Sequence, residues 1–333
     1  MAPALPQGSV VLVTGATSYL GSNIVDQLLK AGYNVRGTVR SMTKLRNLKN
    51  SWDEEHGMGK FEPIIVLDMA KEGAFDEAVK GVDGVIHSAA VMTFDADPHK
   101  VIPETLAGVN EILKSAAKEP RIKRFVFTSS STAATAPIPN KEFHIDSDSW
   151  NDAEIKAAWA PPPYEPQRAW AVYGASKAES EKAVWKFVKE QKPHFVVNAV
   201  LPDFNFGKIL DKSLAVSTAD FVRRLFKGNK ETVLPQYFVD VQDTGLVHVA
   251  ALINPEVANE RILAMAEPFN CNDILRIFRK LRPDHKFIDD YQDDSVRDRS
   301  TVSNERAVKL LKYMGKDGWT SLEESIKVTI EAM

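Results

Sequence analysis

Apolar residues in the first 130 positions alternate between short unbroken runs and a helical period. Val10, Val11, Leu12 and Val13 form a run with no polar alternation, the pattern of a parallel strand covered on both faces. After a glycine-containing turn, Ile24, Val25, Leu28 and Leu29 recur at helical spacing until Gly32 stops them. The same reading places strands at Asn34 to Val39, Phe61 to Leu67 and Gly84 to Ala90, a helix from about Val101 to Lys118, and a fifth strand at Lys123 to Thr128. Strand and helix in alternation predict an α/β fold, a doubly wound parallel sheet with ligands at the carboxyl ends of its strands.

Further along, Asn151 to Trp170 is rich in proline and aromatic residues and reads as a loop poor in regular structure that covers a pocket or makes a rigid connection. A helix opens at Tyr173 and stops before Pro193, and Phe195 to Leu201 is a sixth strand. Tyr237 to Asp243 reads as a return strand, with helices at Asn272 to Leu281, at Ser303 to Met314, and from Ser321 onward. The organisation expected is a nucleotide-binding domain over 8–202, to which 237–265 return, and a smaller lobe from 203–236 and 266–333.

Composition narrows the class. Of 333 residues 44% are hydrophobic, enough for a substantial core, and the 42 Lys and Arg against 45 Asp and Glu are scattered, so no basic stripe points to nucleic acid. The lone Cys271 cannot form an internal disulfide. Met1 to Gly8 lacks a leader pattern, and no stretch reaches the ~18 apolar residues of a membrane span. A soluble cytoplasmic protein, monomer or homodimer, with no metal and no membrane partner, is the expectation.

The candidate chemistry lies at predicted strand ends. Thr14, Gly15, Ala16, Thr17, Ser18, Tyr19, Leu20 and Gly21 join the first strand to its helix, where free N–H groups and the helix dipole cradle a pyrophosphate. Ser18 occupies a position often taken by a glycine in dinucleotide turns. Twenty-one positions after Gly15, where NAD-specific sites carry an acid, stands Arg36; Arg40 and Lys44 come next. Guanidinium groups there favour a 2′-phosphate and hence NADP(H). Asp68 and Met69, after the third strand, are placed to meet the adenine amino group and ring, and Asp68 reads equally as an N-cap for the segment that follows. His87, alone in an apolar strand, reads as a core residue. The fifth strand ends in the hydroxyl cluster Thr128, Ser129, Ser130, Ser131 and Thr132, and Tyr173 and Lys177, four apart, share a helix face.

In combination, Thr14-Gly15…Gly21, Thr128-Ser129-Ser130 and Tyr173-Gly174-Ala175-Ser176-Lys177 resemble the extended short-chain dehydrogenase/reductases. Val35 to Arg40, Arg124 to Ser130 and Asn198 to Pro202 resemble its dihydroflavonol-reductase-like branch, most of all the NADPH-dependent aldehyde, carbonyl and methylglyoxal reductases of fungi and yeasts. The resemblance covers Gly8 to about Ser325. It implies a Rossmann-type sheet with a smaller C-terminal substrate lobe and reduction of a hydrophobic aldehyde or ketone by NADPH. It further implies that Tyr173 donates the proton, that Lys177 lowers the Tyr173 pKa and binds the nicotinamide ribose, that Ser130 polarises the carbonyl, and that Ala89 and Pro202 lie against the cofactor. Met92, Phe94, Tyr164, Trp170, Phe204, Phe206 and Tyr237 are the expected pocket walls. A dehydrogenase of a hydrophobic alcohol (a sterol, flavonoid-like compound or polyketide) and a non-catalytic NADP sensor are the alternatives.

Overall fold

The computed structural model describes residues 2–214, 216–291 and 293–332. The chain begins with β1 (Val10–Thr14), α1 (Tyr19–Lys30), β2 (Asn34–Val39), α2 (Met42–His56), β3 (Phe61–Ile65), β4 (Gly84–His87), α3 (Pro98–Lys118) and β5 (Arg124–Thr128). A single helical turn at Ser131–Ala133 is followed by β6 (His144–Ile145), α4 (Asp152–Ala158), α5 (Arg168–Gln191), β7 (Val196–Pro202), β8 (Phe204–Phe206), α6 (Ala219–Phe226) and β9 (Gln236–Asp240). The remainder is α7 (Val241–Ile253), β10 (Arg261–Ala264), β11 (Glu267–Phe269), α8 (Cys271–Leu281), β12 (Thr301–Val302), α9 (Glu305–Tyr313) and α10 (Leu322–Glu331).

Seven parallel strands form the main sheet in the order β10-β7-β5-β4-β1-β2-β3. Its strands are apolar at successive positions because both faces are covered. Val11 and Val13 face one core with α1, α2, α7 and α9, whereas Leu12 faces the other with α3 and α5. The order reverses between β1 and β4, and a crevice opens there at the carboxyl ends of the strands. Buried Arg124 fixes α7 against β5 by donating to the carbonyls of Ala251, Leu252, Asn254 and Val257 at the helix's carboxyl end. The smaller lobe packs the three-stranded sheet β11-β9-β8 against α6, α8 and α10 around Phe206, Phe238, Phe269 and Phe278.

Four expectations are corrected. Asn151 to Trp170 is not all loop, since it contains α4 and the start of α5, which begins at Arg168 before Tyr173. Tyr237 to Asp243 is not one strand. Asp240 caps α7 through its carboxylate, and the return to the main sheet begins with that helix, because β9 belongs to the smaller lobe. Residues 266–333 are not all in the smaller lobe either, because Ala307, Leu310 and Leu311 of α9 sit in the core of the main domain. The third strand ends at Ile65 rather than Leu67. Among the described residues no helix is long and apolar enough to cross a membrane.

Candidate active site

The turn after β1 is shaped for close approach. Gly15 has φ +71°, and a Cβ there would meet the Ala89 backbone at 3.2 Å; a Cβ on Gly21 would drive into the Gly15 carbonyl and Ser18 Oγ. The turn is stitched to β2 by Gly15 N–H to Thr38 Oγ1 at 3.0 Å and Ala16 N–H to the Thr38 carbonyl at 3.1 Å. Thr14 Oγ1 accepts from the N–H groups of Ser88 and Ala89 at 3.0 Å each and donates to His87 Nδ1 at 2.9 Å. Burial holds His87 neutral, its pKa lowered to about 3. Ser18 is the N-cap of α1, its Oγ accepting from Gly21 N–H at 3.0 Å, so its hydroxyl proton stays available. The first-turn N–H groups of Tyr19 and Leu20 have no partner within the helix. Tyr19's ring turns away, buried against Ile209, Val216 and Val241, so only its backbone faces the cradle.

Arg36 is not free to meet a phosphate. It pairs with Leu12 in mid-sheet, and its guanidinium donates to Glu62 at 3.0 Å and to the carbonyls of Ala78 and Lys80 at 3.1 and 2.7 Å. Arg40 comes directly after the last residue of β2 and is exposed, as is Lys44 in the first turn of α2. These two are the cations at the strand's carboxyl end. Asp68 is exposed and caps the Ala70 N–H. Met69 is not an open lid, because its side chain packs over Gly108 of α3.

The three serines after β5 diverge. Ser129 donates to buried Glu181 at 2.6 Å, Ser131 faces Asp203, and Ser130 lies beside Tyr173. Glu181 is balanced by Arg261 at 2.6 Å, whose guanidinium stacks 3.8 Å from the Trp150 ring centroid. Arg261 and Trp150 line a cavity of about 620 Å³ at the amino end of β10, away from the strand ends that carry the serines. Lys177 Nζ donates to the Thr128 carbonyl at 2.9 Å, and its pKa is lowered by burial to about 8, a shift that Glu181 opposes. Thr128's hydroxyl donates to His248 Nε2 at 2.9 Å, while His248 Nδ1 donates to the Thr244 carbonyl at 2.8 Å, fixing one neutral tautomer. The expected lowering of the Tyr173 pKa is reversed. Burial raises it, aided by the carboxyls of Asp203 and Glu154, and the neighbouring Ser130 hydroxyl opposes this only in part. Burial also pushes Asp203 and Glu154 up to about 7 each.

Two of the expected pocket walls stand over the tyrosine, and a third reaches out beside one of them. Phe94 stacks on the Tyr173 ring with centroids 5.3 Å apart, and Trp170 meets both edge-on; Phe94, Trp170 and the nearby Met92 are exposed. Tyr164 lies instead under Arg168, 5.0 Å from its centroid. Phe204 and Phe206 are core residues of the smaller lobe, because alternate positions of β8 point into Phe221, Phe238 and Phe269. Tyr237 is buried, its hydroxyl donating to the Ser300 carbonyl at 2.9 Å. The opposite parity carries Asp203, which sequence patterning passed over, as it did Asn151, Glu154 and His248. No motif marked these four; only their position after a strand end or in a helix sets them near Ser130, Tyr173 and Lys177.

A glycine cradle without room for a Cβ, open helix N–H groups and two exposed cations at the end of β2 fit a phosphorylated dinucleotide. Residues 11–261 match the NAD dependent epimerase/dehydratase family, and the chain belongs to it. It is similar to Aldehyde reductase 2 of Sporidiobolus salmonicolor, 43% identical over 97% of this chain and 95% of that one. Ketoreductase adrE of Penicillium rubens is 40% identical over 97% of this chain and 96% of its own. Among solved structures, yeast methylglyoxal/isovaleraldehyde reductase Gre2 complexed with NADPH is similar with a TM-score of 0.82, 26% identity and 97% of each chain covered.

Proposed function

We propose that this protein is an NADPH-dependent carbonyl reductase that turns a hydrophobic aldehyde or ketone into its alcohol. The observation that carries the reading is Ser130 set beside Tyr173 at the carboxyl edge of β5, with Ser129 committed to Glu181 and Ser131 facing Asp203. NADPH, when bound, supplies the hydride. Ser130 and Tyr173 hold the carbonyl oxygen through their hydroxyls, and Tyr173 gives it a proton as charge develops there. Burial keeps the phenol protonated at neutral pH, which suits a donor in the reducing direction.

Lys177 keeps a positive charge below the catalytic pair and is placed to reach the nicotinamide ribose. The backbone from Gly15 to Gly21, with the Thr17 and Ser18 hydroxyls, would hold the pyrophosphate; Arg40 and Lys44 would hold the 2′-phosphate; Asp68, Ala89 and Pro202 would border the rest of the nucleotide. Met92, Phe94 and Trp170 give the substrate an apolar, largely aromatic surface, which favours an aromatic or branched hydrophobic carbonyl compound.

Replacing Tyr173 by Phe tests the reading. Turnover of NADPH with a panel of aldehydes and ketones is expected to fall by a factor on the order of 100 or more, while NADPH affinity, read by binding fluorescence, stays near the parent value. A Tyr173→Phe protein that turns over like the parent rules this mechanism out.

A further inference from the structure

Glu154 takes no part in carbonyl reduction itself, yet it is wedged against the reacting centre. The carboxyl group rises from α4 into the volume that a Cβ on Gly174, the residue after Tyr173, would fill. Asn151, the N-cap of α4 and only 4% exposed, donates from Nδ2 to Glu154 Oε2 at 2.7 Å and to the Thr132 carbonyl at 2.9 Å. Thr132 in turn donates from its N–H and its hydroxyl to Ser130 Oγ at 3.2 and 3.0 Å. One continuous set of contacts therefore joins the turn that carries Ser130 to the helix that carries Tyr173, and Glu154 is its last member before the tyrosine.

We propose that Glu154 is a positioning residue that fixes Tyr173 relative to Ser130 and, through its charge, sets how far up in pH Tyr173 remains a proton donor. The proposal rests on the reading of Tyr173 as that donor. A glycine at 174 is what the arrangement requires, because any side chain there would displace the carboxyl. Burial places Glu154's own ionisation near neutrality, with Asn151 opposing, and its negative charge raises the Tyr173 pKa. The other groups around Tyr173 are Ser130 and Asp203, from the turn after β5 and the β7–β8 junction; Lys177, on the tyrosine's own helix, is bonded to Thr128. Toward Glu154 itself, the turn after β5 presents the Thr132 carbonyl through Asn151, and α5 presents Gly174 and Tyr173.

Reduction needs the protonated phenol, so the rate is high below the Tyr173 pKa and falls above it. Once Glu154 is ionised it moves that fall to higher pH, and an uncharged side chain of the same shape moves it back. In Glu154→Gln, the alkaline limb of the kcat profile is expected to shift down by on the order of half a pH unit. The phenolate absorbance of cofactor-free protein, taken as a difference against Tyr173→Phe, is expected to shift by the same amount. A role in packing alone would leave both midpoints where they are, and that result overturns the electrostatic claim. The cycle of Glu154→Ala, Gly174→Ala and their double tests positioning: Gly174→Ala is expected to lower kcat on the order of tenfold, and the double to be no worse than Glu154→Ala alone. Independent, multiplying losses overturn it. If Tyr173→Phe abolishes turnover while neither set of variants shows these effects, the Glu154 proposal fails and the reductase reading stands; if Tyr173→Phe retains turnover, the reductase reading itself fails.

Discussion

Asp203 shows how a single residue's parity in a strand decides its chemistry. Phe204 and Phe206 point into the smaller lobe, so Asp203 points the other way, toward Ser131 and Tyr173, with Oδ1 accepting the Phe204 N–H at 2.8 Å. Burial raises its carboxyl to about 7. The unfolded chain ionises near ~4, so the folded state holds the proton longer than the unfolded one. The group's favourable contribution is present below about pH 4 and is lost as pH rises through about 7. Asn at this position keeps the acceptor and never takes the charge. Asp203→Asn should therefore match the parent's stability near about pH 4 and exceed it near about pH 8 by on the order of 2 kcal/mol. Denaturant titrations at the two pH values measure the difference, and an advantage that shrinks with rising pH would contradict the assignment. Residues such as Asp203 were illegible in the sequence because nothing marks a carboxyl after a proline as buried. Ser130, Tyr173 and Lys177 were legible because hydroxyls at a strand end and a Tyr–Lys pair at helical spacing carry their own pattern.

The ends of elements carry the cofactor reading, and β2 is the clearest case. Counting from Gly15 selects Arg36, but that residue is the third of six in the strand and is flanked by Leu12 and Glu62. Only residues beyond Val39 reach the carboxyl edge where ligands bind. The strand's bounds were read correctly as Asn34 to Val39; the count from Gly15 misled because it takes no account of which residues stand past the strand's end. Arg40→Ala is expected to weaken NADPH by about tenfold or more while leaving NADH nearly unchanged, since a charge-assisted bond to a phosphate is lost. Arg36→Ala should leave the NADPH-to-NADH ratio unaltered and lower stability instead. Direct binding of both nucleotides to both variants distinguishes Arg40 from Arg36. Six of the seven strands of the main sheet were readable to within a few residues, most of them as runs dominated by apolar residues, whereas the four-residue β10 was missed. Helices α4 and α7 were not readable, for opposite reasons. The first has seven residues in a proline-rich stretch, and the second is buried on nearly every side, so it shows no amphipathic period.

The molecule as a whole is built so that its two lobes share their stability. The chain leaves the main sheet at β7, returns with α7, leaves again after β10 and returns a second time with α9, whose Leu310 lies fully buried in the main core. Cross-links reinforce the exchange. β12 pairs with β6, Tyr237 of β9 packs into the main core, and Thr244 of α7 donates to Asn205 Oδ1 of β8 at 2.7 Å. Neither lobe has a core it can complete without segments that pass through the other. Thermal unfolding is therefore expected as one transition, despite a chain length at which separate domain transitions are common. Leu310→Ala in α9 and Phe238→Ala in β9 empty different cores, each at a cost of roughly 2 to 5 kcal/mol, and both should lower that single transition. NADPH at about 100 times its dissociation constant should stabilise the folded state by about 2.7 kcal/mol, in the parent and in both variants, although the proposed nucleotide site lies in the main domain alone. Scanning calorimetry with and without NADPH reads all of this at once. If Phe238→Ala produced a second, earlier transition that NADPH leaves unmoved, the smaller lobe would be melting alone and the shared-core account would be wrong.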